Sequence, residues 1–167
     1  FVVLNPLPDE GRVKVLPVPN DGALLTSASA FADLNHDGFL DIVNGNYYMG
    51  IFTRTPVKQA VNQWILNHNL EFKSQTLEGI PGQTHSVLLA DINADGFADL
   101  MVGNDYRVAD TYYFGSLNEG FKKIRQQDGV IPRTTQTTMS IDTGDFNNDL
   151  IPDFYLANIG MSRGLDV

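Results

Sequence analysis

Short apolar runs alternate along the chain with polar segments that are rich in Asp, Asn and Gly. Runs such as Leu100-Met101-Val102 and Phe154-Tyr155-Leu156 are too short for helices and are typical of buried strands. Each follows an Asp-rich loop, and strand-like stretches at residues 24–32, 86–90 and 137–144 precede the loops. Every loop is therefore predicted to join two strands.

A second hairpin follows each of the first two loops. Gln63–Leu66 and Glu71–Lys73 form it in one unit, and Tyr112–Phe114 and Phe121–Ile124 form it in the next. The unit is thus four strands, A to D, in about 55 residues. At the amino-terminal side, Phe1–Leu4 and a run over 12–16 resemble strands C and D alone.

The loops themselves are an internal repeat of nine residues. The copies are Asp33–Asp41, Asp91–Asp99 and Asp145–Asp153, each with Asp at positions 1, 5 and 9 and Asn at position 3. Positions 2 and 7 are apolar, and five residues after each loop an Asn returns, at Asn46, Asn104 and Asn158.

Four antiparallel strands repeated at this period predict an all-β fold of β-propeller blades. We expect blades at residues 23–80 and 81–134, and half blades at 1–22 (strands C and D) and 135–167 (strands A and B). A closed ring needs about four to eight blades. The chain is therefore expected to be a segment of a larger propeller, for example a seven-bladed one, or to be completed by other chains.

Composition excludes several functions. With 11 Lys and Arg against 20 Asp and Glu, the net charge is -9, which argues against nucleic acid as a partner. There are no cysteines, so thiolate metal sites and thiol nucleophiles are excluded. No apolar run is long enough for membrane insertion, and no targeting segment is recognisable.

The side chains of the loops are those of a hard-cation site. Alternate Asp and Asn residues direct several oxygens toward one centre, Gly at position 6 permits a sharp turn, and position 7 adds a backbone carbonyl. Three nearby carboxylates repel one another unless a cation is bound. Asp, Asn and Gly also form ordinary turns, which is the simplest alternative for any single loop.

An EF-hand is a second alternative for these loops. It requires a flanking helix on each side and an acidic residue at position 12. Position 12 holds Asn44, Val102 and Leu156 here, and the flanking segments are strands, so the EF-hand is excluded.

The loops resemble the calcium loops of FG-GAP and VCBS repeats, which are the blades of integrin alpha-subunit propellers. The spacing is most similar to bacterial VCBS proteins and cartilage acidic protein relatives. The resemblance implies Ca²⁺ as the cofactor, in two or three sites. It implies as ligands Asp33, Asn35, Asp37, Phe39 (carbonyl) and Asp41; Asp91, Asn93, Asp95, Phe97 (carbonyl) and Asp99; and Asp145, Asn147, Asp149, Ile151 (carbonyl) and Asp153.

Two further expectations follow from the calcium assignment. Leu150 replaces the Gly of position 6, and a side chain is strained there if φ is positive, so the third site is predicted to be the weakest. Extracellular calcium modules bind with Kd values of about 10⁻⁴ to 10⁻³ M, which favours an extracellular, periplasmic or cell-surface location.

The strand order places the metal loops and the C-to-D turns on one face of the propeller. In integrin-like propellers the opposite face binds ligands, as the resemblance implies. The long connection at 47–55 lies on that face, and its large side chains are candidates for partner binding: Tyr47, Tyr48, Phe52 and Arg54. The alternative is that the aromatic rings pack on their own blade.

Signals for catalysis are weak. Gly160–Gly164 fits Gly-x-Ser-x-Gly, but no His follows it, so we interpret it as a loop. His85 begins an inner strand and is a candidate for the central channel, with a structural role as the alternative.

Three functions remain open. The first is a calcium-stabilised extracellular interaction or adhesion module, without catalysis, that binds a protein or glycan. The second is a propeller of a carbohydrate-active enzyme or lectin. The third is a structural subunit in which blades of the same or a neighbouring chain complete one another.

Overall fold

The computed structural model describes residues 1–4, 11, 13–23, 25–49, 60–106, 108–131 and 134–160. Within these ranges the regular structure is β-strand, with one short 3-10 turn at Gln126–Asp128, and no helix has the length and apolar character to cross a membrane. The strands are β1 (Val2–Leu4), β2 (Lys14–Leu16), β3 (Thr26–Ala32), β4 (Asp41–Asn46), β5 (Gln63–His68), β6 (Glu71–Thr76), β7 (Gln83–Ala90), β8 (Asp99–Asp105), β9 (Thr111–Phe114), β10 (Lys122–Lys123), β11 (Thr138–Gly144) and β12 (Asp153–Asn158).

These strands form antiparallel sheets in chain order. One four-stranded sheet contains β3 to β6, a second contains β7 to β10, and β1–β2 and β11–β12 are two-stranded sheets. The predicted all-β fold of four-stranded blades is confirmed, and each loop of the repeat joins two strands as expected. The number of blades in a complete ring stays a prediction.

The sheets pack face to face, and the second sheet is buried on both sides. Along β8, Leu100 and Val102 pack with Val43 of the first sheet, whereas Met101 between them packs with Ile141 of β11. Side chains of a strand alternate between its faces, so an unbroken apolar run is what two buried faces require. Each such side chain contributes about 1.5–3 kcal/mol when fully buried.

Glycines in β4 and β8 allow each sheet to approach the next one closely. A β-carbon on Gly45 would lie 2.6 Å from the Thr84 methyl group of β7, and one on Gly103 would lie 2.9 Å from the Thr138 methyl group of β11. Both glycines therefore occupy equivalent positions at which the next sheet leaves no room for a side chain.

A Thr–Asn pair is repeated in three sheets. Its threonine lies near the start of β3, β7 or β11, at the end of the strand that is distant from the repeat loop. The Thr26 hydroxyl donates to Asn46 Oδ1 at 2.8 Å, and Thr84 donates to Asn104 Oδ1 at the same distance. In the third pair, Thr138 Oγ1 lies 3.0 Å from Asn158 Oδ1. In β3, β7 and β11 a β-bulge follows this threonine, so the three sheets share one local geometry.

Asn62 and Asp110 connect these pairs from one sheet to the next. Asn62 Oδ1 accepts the Asn46 amide at 2.7 Å, and its Nδ2 donates to the Thr84 hydroxyl of the next sheet at 3.1 Å. Asp110 Oδ1 likewise accepts the Asn104 amide at 2.7 Å, and its Oδ2 accepts the Thr138 hydroxyl at 2.6 Å. We call the resulting series the polar chain; it consists of Thr26, Asn46, Asn62, Thr84, Asn104, Asp110, Thr138 and Asn158.

Asp110 is the charged member of the polar chain. It is 2% exposed, and burial raises the pKa of its carboxyl group, while hydrogen bonds from Thr135, Thr138 and the Asn104 amide lower it. A raised pKa means that the folded protein binds the proton more tightly than the unfolded chain does. This carboxylate therefore lowers stability at neutral pH, and the loss is relieved as pH falls through the folded-state pKa toward the unfolded value.

Replacement Asp110→Asn is expected to leave the free energy of unfolding at pH 7 unchanged or higher. The amide reproduces the bonding of Asn62, with Oδ1 accepting from Asn104 and Nδ2 donating to Thr138. The difference in free energy of unfolding between the variant and the parent is expected to be smaller at pH 5, because the parent gains stability as Asp110 becomes protonated. Urea denaturation at both pH values measures this difference.

Two matched variants complete this test. Asp110→Ala leaves the buried Asn104 amide without its acceptor, and the Thr138 hydroxyl keeps only Asn158 Oδ1, so the variant should cost about 1–3 kcal/mol. Asn62→Asp adds a buried carboxylate at the equivalent position and should lower stability at pH 7 more than at pH 5. A pH-independent difference between Asp110→Asn and the parent would contradict the interpretation.

Candidate metal loops and the opposite face

The three repeat loops have the same hydrogen-bond pattern. In the first, Asp33 Oδ1 accepts the Asp37 amide at 3.0 Å and its Oδ2 accepts the Gly38 amide at 2.9 Å. Asn35 Oδ1 also accepts the Asp37 amide, and Asp37 Oδ1 accepts the Phe39 amide. The second and third loops repeat each of these contacts within about 0.2 Å.

Short Asx-type turns explain why the sequence folds in this way. Asp and Asn side chains bond to backbone amides two or more residues ahead, which curls the chain around the side-chain oxygens. Position 4 has positive φ in all three loops: 57° at His36, 59° at Ala94 and 60° at Asn148.

Position 6 also has positive φ in every copy, as the sequence predicted for a sharp turn. The values are 90° at Gly38, 89° at Gly96 and 68° at Leu150. Leu150 therefore adopts a backbone conformation that favours glycine, and its side chain is 92% exposed, so it gains little from packing. That the third site is the weakest stays a prediction.

The Asp at position 9 fastens each loop to its sheet. Asp41 Oδ2 accepts the Leu34 amide at 2.8 Å, and its Oδ1 accepts the Asn67 amide of β5 at 2.7 Å. In the second loop, Asp99 accepts from Ile92 and Gly115 at 2.8 Å each. Both carboxylates are fully buried.

The charge on these buried residues has a cost. Burial raises the pKa of Asp41, backbone amides lower it, and the negative charges of Asp37 and Asp33 raise it further. Burial also raises the pKa of Asp99, and Asp95 adds to the shift. The carboxylates of each loop therefore interact electrostatically, which is the condition under which a bound cation stabilises them.

Asp37 has a different environment. Its pKa is lowered, first by the hydrogen bond from the Phe39 amide and then by Asn35 and His68, although some desolvation opposes them. His68 Nδ1 lies 2.8 Å from Asp37 Oδ2.

The donors of the loops fit a hard cation in their chemistry. Carboxylate, amide and carbonyl oxygens are what Ca²⁺ prefers, and each carboxylate oxygen has a second lone pair beside the one that accepts a backbone amide. In the described part of the chain, however, no three Asp, Glu or His side chains already converge as a metal-holding group. Their oxygens are directed to backbone amides, and the ligand sets stay a prediction.

The third loop has a smaller sheet behind it. Asp153 Oδ2 accepts the Phe146 amide at 2.9 Å, as Asp41 and Asp99 do at the equivalent position. Its sheet contains β11 and β12, and in the described ranges no amide of a third strand donates to Asp153.

The predicted partner-binding residues lie at the opposite end of the sheets. Tyr47 and Tyr48 follow β4, and their amides donate to the carbonyls of Leu25 and Gly82 at 2.8 and 2.9 Å. The Tyr47 ring contacts the edge of His85, with centroids 5.2 Å apart. Both tyrosines thus contact the second sheet, which the sequence did not suggest; their role in binding stays a prediction.

The remaining candidate residues from the sequence lie only partly within the described ranges. Phe52 and Arg54 lie outside the described residues, as does most of the Gly-x-Ser-x-Gly segment. His85 is half-buried at the bulge of β7, and its Nε2 lies 3.9 Å from Asp105 Oδ2.

Sequence reasoning did not identify the residues that anchor the loops from neighbouring strands. Asn67, near the end of β5, and Gly115, directly after β9, supply the amides that bind Asp41 and Asp99. Because a backbone amide is present at every residue except proline, the sequence has no signal for this contact. The Asn that returns after each loop was visible, and its role in the polar chain needed the structure.

Comparison with known proteins agrees with this architecture. Residues 91–156 match the family described as FG-GAP-like repeat. Over 126 residues the chain is 31% identical to integrin alpha-3 from Cricetulus griseus and, equally, from Mus musculus. The match covers 71% of this chain and 12% of each relative, so the chain spans about an eighth of the length of these curated relatives.

Replacement Leu150→Gly tests the backbone strain in the third loop. Left-handed φ costs a side chain about 1–2 kcal/mol, and the extra freedom of glycine in the unfolded chain cancels part of the gain. The free energy of unfolding should therefore rise by about 0.5–1 kcal/mol, measured by urea denaturation in chelator. The matched reversal Gly96→Leu should lose about 1–2 kcal/mol. A loss of stability in Leu150→Gly would contradict the assigned strain.

Proposed function

Because the chain carries an FG-GAP-like repeat and is similar to integrin alpha-3, we propose that it is a calcium-stabilised propeller module for interaction with a partner. It has no catalytic step of its own in this proposal. The observation that carries it is the loop of Asp, Asn and backbone oxygens, present three times with one hydrogen-bond pattern.

Calcium is the cation that this donor set favours. It accepts six to eight oxygen ligands in flexible geometry, and the loop offers three carboxylates, an amide oxygen and a backbone carbonyl. The three loops hold nine Asp residues, and the net charge of the whole chain is -9. Divalent ions at these loops would remove most of that charge and the repulsion that raises the pKa of Asp41.

Metal binding and partner binding belong to opposite ends of the sheets in this proposal. Calcium would hold the loops, while Tyr47, Tyr48 and the connection after β4 would contact a protein or glycan. The support is that Tyr47 and Tyr48 are only half-buried and that their amides are fixed by Leu25 and Gly82. A backbone that is held by such bonds loses little freedom when the segment binds a partner.

An extracellular or cell-surface location accompanies the proposal. Sites of this type bind calcium with Kd values of about 10⁻⁴ to 10⁻³ M and would be filled only where calcium is plentiful.

Replacement Asp95→Asn is the sharpest test of calcium binding. The amide keeps the oxygen that accepts from Phe97 and removes one charge from the second loop. In about 10 mM calcium each occupied site should add about 1–3 kcal/mol to the free energy of unfolding, so calcium should raise the melting temperature of the parent. The variant should show a smaller rise, because it lacks the contribution of one site. In chelator the two proteins should melt within about 1–2 °C of each other.

Glu71→Gln is the matched control, since it removes one exposed charge on β6 outside the loops. It should respond to calcium as the parent does. A parent whose melting temperature is the same in calcium and chelator would overturn the calcium proposal. An equal loss for Asp95→Asn in both conditions would remove Asp95 from the ligand set.

A second candidate function is a structural subunit that assembles by blade complementation. In the described ranges β12 pairs with β11 alone, whereas β4 and β8 at the equivalent position have a third strand beside them. β1 and β2 pair with each other, and in this candidate they supply strands C and D. A strand edge of this kind accepts a strand from a second copy through backbone hydrogen bonds.

This candidate predicts a molar mass that rises with protein concentration in light scattering after gel filtration. Deletion of residues 1–18 should then give a monomer at every concentration, with a circular dichroism spectrum still dominated by strand. A monomeric parent, or an assembly that the deletion leaves unchanged, would contradict complementation without bearing on calcium.

A further inference from the structure

A cleft lies between the two four-stranded sheets at the end that carries the metal loops. It has a volume of about 190 Å³. Leu34 and Asn35 of the first loop border one side, and the turn between β9 and β10, residues 115–120, borders the other. Trp64 and Leu66 of β5 form its apolar wall.

Trp64 is fixed in this wall by contacts on two sides. Phe121 packs edge-on against the indole, with centroids 5.6 Å apart and planes at 82°. Gly120 has a φ of 67°, and a β-carbon there would lie 2.6 Å from Trp64 Cζ2. The absence of a side chain at residue 120 therefore lets the turn close against the indole and define the cleft.

The cleft also contains polar groups that have no partner in the described part of the chain. These are the Trp64 indole N–H, the Gln75 amide group and the side chains of Asn118 and Glu119. Ser116 is committed to its own turn, because its hydroxyl donates to the Gly120 carbonyl at 3.4 Å and accepts the Glu119 amide at 3.2 Å. Two exposed amide side chains and one exposed carboxylate thus border the cleft beside the indole.

The charge and size of the cleft restrict its ligand. No Lys or Arg lines it, and Glu119 and the adjacent loops are acidic, so an anionic ligand is excluded. Its volume lies below the roughly 300–1,000 Å³ of sites for drug-sized molecules, which favours a single small ring. Convergent amide groups beside an aromatic surface suit a ring with several hydroxyl groups and an apolar C–H face.

We propose that this cleft is a binding site for one neutral pyranose sugar, such as the terminal residue of a glycan. The C–H face of the sugar packs against Trp64, and its hydroxyls bond to Gln75, Asn118 and the indole N–H. This site is separate from the partner face at the other end of the sheets. Except for Asn35, the residues that border it are not candidate metal ligands.

The single tryptophan of the chain provides a direct probe. Methyl glycosides of glucose, galactose, mannose, fucose and N-acetylglucosamine are titrated against the full chain, and Trp64 fluorescence and the indole N–H resonance are recorded. At least one glycoside is expected to give a saturable response. Gln75→Ala and Asn118→Ala should each weaken it about fivefold, as expected for one lost hydrogen bond.

Gln126→Ala is the matched control, since this exposed amide lies in the 3-10 turn outside the cleft and should leave the affinity unchanged. Thermal melting confirms that each variant is folded. The proposal is overturned if no glycoside saturates, if Gln75→Ala and Asn118→Ala bind as the parent does, or if n-butylammonium gives the only saturable response. Failure of the calcium test above would leave this titration intact, so the two proposals are distinguishable.

Discussion

The buried carboxylates of Asp41 and Asp99 are the constraint on which the loop end of the protein depends. Each has one oxygen on an amide of its own loop and the other on an amide at the end of the third strand of its sheet, or directly after it. A buried charge is tolerated only when its hydrogen bonds are satisfied. The loop therefore cannot move relative to the sheet without exposing or orphaning a carboxylate, and the remaining oxygens of the loop are positioned by this attachment.

The two ends of the sheets are held by different chemistry. The loop end depends on charged oxygens and backbone amides, and its negative charges raise the pKa of Asp41 and Asp99 in addition to burial. The other end depends on neutral Thr and Asn side chains, with Asp110 as the exception. In the proposed function a cation strengthens the first end, whereas the hydrogen bonds of the second come from the side chains of the chain itself.

The repeat made most of the fold predictable from the sequence. Apolar runs such as Leu100-Met101-Val102 located the buried strands, and the spacing of Asp and Gly located the loops, because both signals depend on local periodicity. Contacts between repeats were not visible. Asn62 and Asp110 occupy equivalent places with different side chains, and the pairing of Tyr47 with the second sheet depends on how two sheets approach one another. Trp64 is partly buried against the core, and the turn closes against it because residue 120, from the next unit, is a glycine.

The polar chain has a consequence for cooperativity. In repeat proteins whose units touch only through apolar surface, one terminal unit detaches at the cost of its interface alone. Here the Thr84 hydroxyl belongs to the second sheet and bonds to Asn62 of the first, and Thr138 of the third bonds to Asp110 of the second. Detachment of one sheet therefore breaks these hydrogen bonds as well as the apolar contacts, at a net cost of about 0.5–1.5 kcal/mol for each bond. Partial unfolding is thereby disfavoured relative to unfolding of all three sheets together.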